Sequence, residues 1–169
     1  MSWFFIARRR KSEGGNRSAF TQRALSPEDT IMYDRILLAV DHSEMSKRAV
    51  TAARDLAKLS DGEVWVLHLR ERETGFRKVS MTDETVADAN AVVLAALEVL
   101  TTAGVKARGE VRNTTYGYAA REIAGDAKDH DADVIVMGSR GRGDLGGLIL
   151  GSTAHKVIHL TDRPVLIIR

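Results

Sequence analysis

The stretch that decides the fold runs Asp133-Val-Ile-Val-Met-Gly138-Ser-Arg-Gly141, a short apolar segment that leads directly into a glycine-rich loop. An apolar run of this length is typical of a strand buried on both faces of a parallel sheet. Six of the fourteen residues 138–151 are glycine, and Gly151-Ser152-Thr153 then opens a predicted helix. Glycine lets the backbone approach a ligand closely, and the free N–H groups of a helix N-terminus suit phosphate. The stretch therefore predicts a buried strand that ends at an anion-binding loop.

The same alternation of strand and helix fills residues 32–169. Strands are predicted at 35–40, 64–69, 105–111, 133–138 and 165–168, and helices after Ser43, at 82–103, at 115–130 and at 152–159. Strands that alternate with helices of this length call for right-handed crossovers and a parallel sheet. The expected fold is α/β, a single five-stranded parallel sheet with helices on both faces. Ligands of such sheets bind beyond the carboxyl ends of the strands, where the strand order reverses.

Two familiar phosphate-binding motifs are matched only in part by the glycine loop. Gly141-x-Gly143-x-x-Gly146 has the dinucleotide-binding spacing, but it follows the fourth strand and no acidic residue ends a strand about twenty positions later. Gly146 and Gly151 have the spacing of a P-loop, but Ser152 stands where that loop requires lysine. Neither chemistry is supported.

Asp41 ends the first predicted strand, at the expected reversal of strand order. Its carboxylate could accept hydrogen bonds from ribose hydroxyls, or it could simply support Ser43 as the cap of the following helix. Arg140 and Arg142 could add positive charge near a phosphate. Asp144 is a weak candidate for binding Mg²⁺, and solvation at the surface is the alternative.

Composition and charge exclude several classes of protein. Cysteine is absent, which excludes disulfides, thiolate metal sites and a cysteine nucleophile, and which fits a cytoplasmic location. The net charge is +2, and the basic excess lies in residues 1–31, so the folded part offers no broad positive field and no nucleic acid partner is expected. No apolar run is long enough to span a bilayer.

Residues 1–31 are predicted to be a disordered basic extension, because they show little periodicity and are rich in Arg, Ser, Gly and Asn. Three roles are open: none, an upstream segment that is absent when translation begins at Met32, or a weak membrane-surface anchor through residues 1–11. Membrane contact is the least expected of these.

The histidines predict no metal site. His155 and His159 share a helix face but lack a third ligand. His68 ends an apolar strand and is expected to pack or to line a pocket. His42 and His130 are interpreted as ordinary loop residues.

These features together resemble the universal stress protein family over residues 32–169. The resemblance rests on Val40-Asp41-x-Ser43, on Val-Ile-Val-Met-Gly138-Ser-Arg-Gly141, on Gly151-Ser-Thr153 and on the closing Arg163-Pro-Val-Leu-Ile-Ile168. It implies a Rossmann-like sheet of the adenine nucleotide alpha hydrolase type, with strand order 3-2-1-4-5. The spacing Gly138-x2-Gly141-x9-Gly151-Ser152 is similar to the family's ATP-binding signature, which places the chain in the nucleotide-binding branch.

The resemblance also implies a set of nucleotide-binding residues. Asp41 would hold the ribose, Ser152 and Thr153 would bind phosphate oxygens, and Ala154 departs from members that carry another hydroxyl there. The whole implied set is Ala39, Val40, Asp41, Leu67, His68, Leu69, Met137, Gly138, Arg140, Gly141, Gly151, Ser152 and Thr153. The ligand would be ATP, with ADP, AMP or a cyclic nucleotide as alternatives and Mg²⁺ as a possible companion.

Three functions follow as hypotheses. The first is a nucleotide-dependent regulator in the stress response, since no lysine follows Gly151 and Asp41 is assigned to ribose, which leaves no base for hydrolysis. The second is a slow ATPase, and the third is a protein-interaction module that needs no nucleotide. The resemblance further implies a homodimer through the last strand, and Val165, Leu166, Ile167 and Ile168 are apolar enough to add to a partner's sheet edge.

Overall fold

The computed structural model describes residues 4–6, 33–72, 84–141 and 150–169. Its strands and helices are, in chain order, β1 (Phe4–Ile6), β2 (Arg35–Val40), α1 (Glu44–Ser60), β3 (Glu63–Arg72), α2 (Val86–Thr102), β4 (Lys106–Thr115), α3 (Ala119–Asp129), β5 (Val134–Gly138), α4 (Ser152–Leu160) and β6 (Val165–Ile168).

The strands form one sheet in the order β1-β6-β5-β2-β3-β4. The pairs β6-β5, β5-β2, β2-β3 and β3-β4 are all parallel, which confirms the predicted five-stranded parallel sheet and its strand order. The order reverses between β2 and β5, so Asp41 lies where the crevice of such a fold is expected. The strand β1 was not predicted; it pairs antiparallel with β6 and aligns Phe4 with Ile167.

Residues at the ends of α1 and α2 account for where these two helices begin and where α1 ends. The Ser43 hydroxyl accepts a hydrogen bond from the Ser46 amide, so Ser43 caps α1 as predicted. At the other end of α1, Asp61 adopts a left-handed conformation with φ 52°. Thr85 and Asp88 form a capping box that starts α2.

Two predicted boundaries were wrong. The strand β3 continues past Leu69 to Arg72, and β4 runs to Thr115, which had been assigned to a helix. The ten residues of β4 pair with the ten of β3, and this long ladder extends both strands beyond their apolar parts. Gly117, at φ +84°, then turns the chain into α3.

The core has two layers, one on each face of the sheet. Residues such as Leu38 and Val66 point toward α1 and α2. Their chain neighbours, such as Leu37 and Leu67, point toward α3 and α4. Alternation along each strand produces this division, and eight of the eleven residues of β2 and β5 are buried because both faces are covered.

One polar cluster lies inside the second layer. Asp126 on α3 has a side chain that is 1% exposed, and it accepts hydrogen bonds from Trp65 Nε1 (2.9 Å) and Arg112 Nη2 (2.6 Å). The His130 ring stacks on Trp65 at 4.2 Å. The cluster ties α3 to β3 and β4, and its partners satisfy the buried carboxylate.

Among the helices of the described ranges, none has both the length and the apolar character that crossing a membrane requires.

Candidate functional site

The carboxylate of Asp41 lies at the end of β2 and faces the segment that follows β5. Its Oδ1 atom accepts hydrogen bonds from the Ser43 amide (3.0 Å) and the Ser43 hydroxyl (2.6 Å). That hydroxyl also lies 3.2 Å from the Arg140 carbonyl oxygen. Asp41 therefore supports the cap of α1 with one oxygen, while Ser43 connects this helix to the glycine-rich segment.

The second carboxylate oxygen of Asp41 lies against Gly141. A Cβ atom at Gly141 would be 2.6 Å from Asp41 Oδ2, so any side chain there would displace the carboxylate or the loop. This close approach gives a steric reason for glycine at position 141.

Gly151 brings the start of α4 into the same place. Its amide donates to the Ser139 carbonyl oxygen at 2.7 Å. A Cβ atom at Gly151 would lie 3.1 Å from that oxygen and 3.3 Å from the Arg140 Cα atom. Three segments therefore converge at the carboxyl edge of the sheet: Asp41–Ser43, Ser139–Gly141 and Gly151–Thr153.

The N-terminus of α4 is open in a way that the N-termini of α1 and α2 are not. Gly151 occupies the cap position and provides no side-chain hydrogen bond, and Tyr118 at the start of α3 provides none either, whereas Ser43 caps α1 and Thr85 caps α2. The first-turn amides of α4 thus have no side-chain cap, and the helix dipole favours an anion beside them. Ser139 adds a fully buried hydroxyl with no hydrogen-bond partner within the part of the chain that is described.

The residues that the resemblance implies for binding the adenine base lie on both faces of the sheet. Ala39 lies between Leu67 and Met137 on neighbouring strands, and these three, with Leu69, point toward α3 and α4. Val40 pairs with His68, and alternation places both on the opposite face, toward α1 and α2. Ala39, Leu67 and Met137 therefore lie together on one face of the sheet, and His68 lies on the other.

His68 is buried, at 3% exposure, and both of its ring nitrogens are engaged. Nδ1 lies 2.8 Å from the Val40 carbonyl oxygen, and Nε2 lies 2.9 Å from Glu84 Oε1. The same Glu84 oxygen lies 2.5 Å from His42 Nε2. Sequence reasoning missed this cluster of His42, His68 and Glu84, because its members are far apart in the chain and form no motif.

A cleft of about 620 Å³ opens between α1 and α2, on the face that carries His68. Val50, Val92 and Ala96 give it an apolar wall, and Asp41 and His42 also line it. The cleft is therefore separate from the glycine-rich segment, with Asp41 common to both.

Several sequence predictions concern residues that the structure does not describe. Asp144, Arg142 and the central glycines of the loop lie outside the described residues, as does most of segment 1–31.

The fold and the crevice at the strand-order reversal define a doubly wound parallel α/β protein of the kind that holds ligands at the carboxyl edge of its sheet. The model of the universal stress protein family matches residues 32–169, so the chain belongs to that family.

The comparisons with individual proteins agree. Universal stress protein YxiE of Bacillus subtilis is 38% identical over 149 residues, which cover 82% of this chain and all of the relative. A universal stress protein structure from Archaeoglobus fulgidus superposes with a TM-score of 0.66 at 27% identity, covering 82% of this chain and 100% of that one. A second structure from Archaeoglobus fulgidus, solved in complex with dAMP, has a TM-score of 0.61 at 23% identity, covering 83% and 100%, and shows the shared fold.

Proposed function

We propose that the chain is an adenine-nucleotide-binding universal stress protein that acts as a nucleotide-dependent regulator in the cytoplasm. The observation that carries the proposal is the convergence of the Asp41 carboxylate with Gly141 and with the open N-terminus of α4. A carboxylate beside a helix N-terminus matches a ligand that has hydroxyl donors at one end and phosphate at the other.

The geometry of the crevice is compatible with the following proposed roles. Asp41 Oδ2, the oxygen turned toward Gly141, accepts from a ribose hydroxyl, while Oδ1 remains with Ser43. The first-turn amides of α4 and the hydroxyls of Ser152 and Thr153 bind phosphate oxygens. Ala39 and Met137 are adjacent on paired strands and offer small apolar surface to the base.

ATP is the nucleotide that the glycine spacing favours, with ADP, AMP and cyclic nucleotides as the alternatives. The Archaeoglobus fulgidus protein of the same fold that binds dAMP supports an adenine nucleotide as the ligand class. The proposed Mg²⁺ companion and Asp144 as its ligand stay predictions.

The proposal is tested by isothermal titration of the purified chain with ATP, ADP and AMP. Asp41→Ala removes an ionised acceptor, and a hydrogen bond to a charged group contributes about 1.5–3 kcal/mol. We expect affinity to fall by about ten- to a hundredfold. Gly151→Asp, which adds a Cβ atom and a negative charge beside the phosphates, should abolish binding.

Asp162→Ala is the matched control, since that carboxylate is 88% exposed and lies in the turn before β6. It should bind nucleotide as the unaltered chain does. Equilibrium dialysis that detects no adenine nucleotide bound at millimolar concentration would refute the proposal and favour the interaction module, for which the apolar cleft between α1 and α2 is the candidate surface.

The slow-ATPase alternative needs a separate measurement. Single-turnover incubation with γ-labelled ATP should release no phosphate beyond the rate in buffer if the chain only binds. Phosphate release that Gly151→Asp abolishes would establish hydrolysis at this site instead.

A homodimer through β6 is part of the proposal, and the described fold adds a condition to it. The outer edge of β6 is hydrogen-bonded to β1 of the same chain, with Ile6 aligned to Val165. A partner's strand would need that same edge, because each strand has only two. Dimerisation at β6 therefore requires β1 to leave.

A further inference from the structure

Three potential metal ligands meet at the carboxyl ends of β2 and β3, on the face that carries α1 and α2. They are His42, which follows β2, His68 in β3, and Glu84, which precedes the cap of α2. One atom from each, the two Nε2 nitrogens and a carboxylate oxygen, lies within 4.8 Å of the others. Within the described ranges this is the one such group of three.

The protonation of His68 is constrained by its surroundings. A carbonyl oxygen only accepts hydrogen bonds, so the 2.8 Å contact with Val40 requires the proton on Nδ1. In the neutral ring Nε2 then carries a lone pair, and it faces the lone pairs of Glu84 Oε1 at 2.9 Å. Because His68 is buried, two acceptors at that distance need a cation between them, either a proton or a metal ion.

The second histidine is directed at the same carboxylate oxygen. His42 Nε2 lies 2.5 Å from Glu84 Oε1, and the two imidazole rings meet edge to face with centroids 5.9 Å apart. Glu84 is itself held in place, since its carbonyl oxygen accepts from Arg70 Nε at 2.6 Å. The three side chains are therefore brought to one point by β2, β3 and the start of α2.

We propose that His42, His68 and Glu84 form a binding site for a divalent transition metal ion, with Zn²⁺ as the ion that fits best. Two imidazole nitrogens and one carboxylate oxygen are a zinc ligand set, and three protein ligands leave a fourth position open. The Val40 carbonyl holds His68 in the tautomer whose Nε2 is free to coordinate, as the outer hydrogen bond of a metal-binding histidine does. The site goes beyond nucleotide binding, because His68 faces away from Ala39 and Met137.

The three ligand atoms lie closer together than zinc coordination requires, so the site must open slightly to admit the ion. Ligand atoms about 2.0–2.1 Å from zinc in a tetrahedron are about 3.3 Å apart. The two nitrogen–oxygen distances here are 2.5 and 2.9 Å, so the Glu84 carboxylate must retreat by less than about an ångström. The His42 side chain is 35% exposed, which gives the ion a route from solvent.

The test uses the full chain, freed of any purification tag and treated with chelator. Zn²⁺ is titrated against a chromophoric chelator, and Co²⁺ is added separately to read coordination from its visible absorption. We expect one equivalent of Zn²⁺ and the strong absorption of tetrahedral Co²⁺. His42→Asn and Glu84→Gln should each weaken binding at least tenfold and abolish the cobalt signal.

The matched control is the double variant His155→Asn/His159→Asn, which removes the other close pair of imidazoles, with centroids 4.7 Å apart on α4. It should keep full metal binding. Far-ultraviolet circular dichroism verifies that each variant is folded, and His42 is the primary position because its partial exposure makes substitution mild.

Three outcomes would overturn the proposal. They are no uptake of Zn²⁺ by the unaltered chain, unchanged uptake in folded His42→Asn and Glu84→Gln, or loss of uptake in the α4 double variant. None of them bears on nucleotide binding, which is measured separately through Asp41 and Gly151.

Discussion

At the scale of single residues, the crevice depends on glycines, which have no side chain, as much as on the carboxylate of Asp41. Gly141 allows the backbone to lie against Asp41, and Gly151 allows α4 to begin beside Ser139 and Arg140. Their spacing was readable in the sequence because close backbone approach restricts a position to glycine. The orientation of Asp41 was not readable, and the structure shows that Oδ1 accepts from Ser43 while Oδ2 faces Gly141, so capping α1 engages only one of the two oxygens.

Gly141→Ala is expected to weaken nucleotide binding while the fold persists. The new methyl group would meet Asp41 Oδ2 at 2.6 Å and displace the carboxylate that we assign to ribose. Titration with ATP should show a loss of at least tenfold in affinity.

The control is Gly125→Ala in α3, where a Cβ atom would meet nothing within 4 Å. This change should leave affinity intact and stabilise the chain by about 0.5–1 kcal/mol, since alanine is the better helix former. Equal ATP affinity in Gly141→Ala and the unaltered chain would contradict the assigned role of Asp41.

At the scale of elements, one buried carboxylate joins a helix to two strands. Asp126 on α3 accepts from Trp65 on β3 and from Arg112 on β4. Burial acts against the charge of Arg112, but its side-chain hydrogen bonds with Glu110 and Asp126 prevail and raise its pKa above the ordinary value. Arg112 therefore stays charged wherever the fold survives, and Asp126 keeps its partner.

Asp126→Asn should destabilise the chain by about 2–3 kcal/mol, because hydrogen bonds to a buried charged group are lost or weakened. Urea unfolding measures the change in the free energy of unfolding. Asp129→Asn, on the exposed side of the same helix, should change stability by no more than about 0.5 kcal/mol. A loss in Asp126→Asn as small as that of Asp129→Asn would show that the cluster adds little.

At the scale of the whole molecule, β1 covers the edge of β6 through which we propose that the chain dimerises. The chain's own residues 4–6 occupy the outer edge of β6, where a partner's strand would add. If the chain forms the proposed dimer through β6, residues 4–6 compete with the partner's strand for this edge, a role that none of the three hypotheses for residues 1–31 included.

A chain that begins at Met32 should dimerise more tightly than the full chain, because its β6 edge has no intramolecular strand. Sedimentation equilibrium of both forms measures the dimer dissociation constant, and we expect at least a tenfold difference. Adding Leu166→Lys to the shorter form should return it toward monomer, since an edge lysine opposes strand addition. Equal dissociation constants for the two forms would contradict competition by β1.

The sequence by itself determined the alternation of strands and helices, the parallel sheet, the capping of α1 by Ser43, and the glycine spacing of the loop. All of these depend on residues close together in the chain, where periodicity and backbone freedom act locally. Only the tertiary structure decided that His42 and His68 meet Glu84, that Trp65 and Arg112 meet Asp126, and that Phe4–Ile6 pairs with β6. These contacts depend on the register of paired strands and on the packing of helices across the sheet. Neither the register nor the packing can be read from the spacing of residues along the chain.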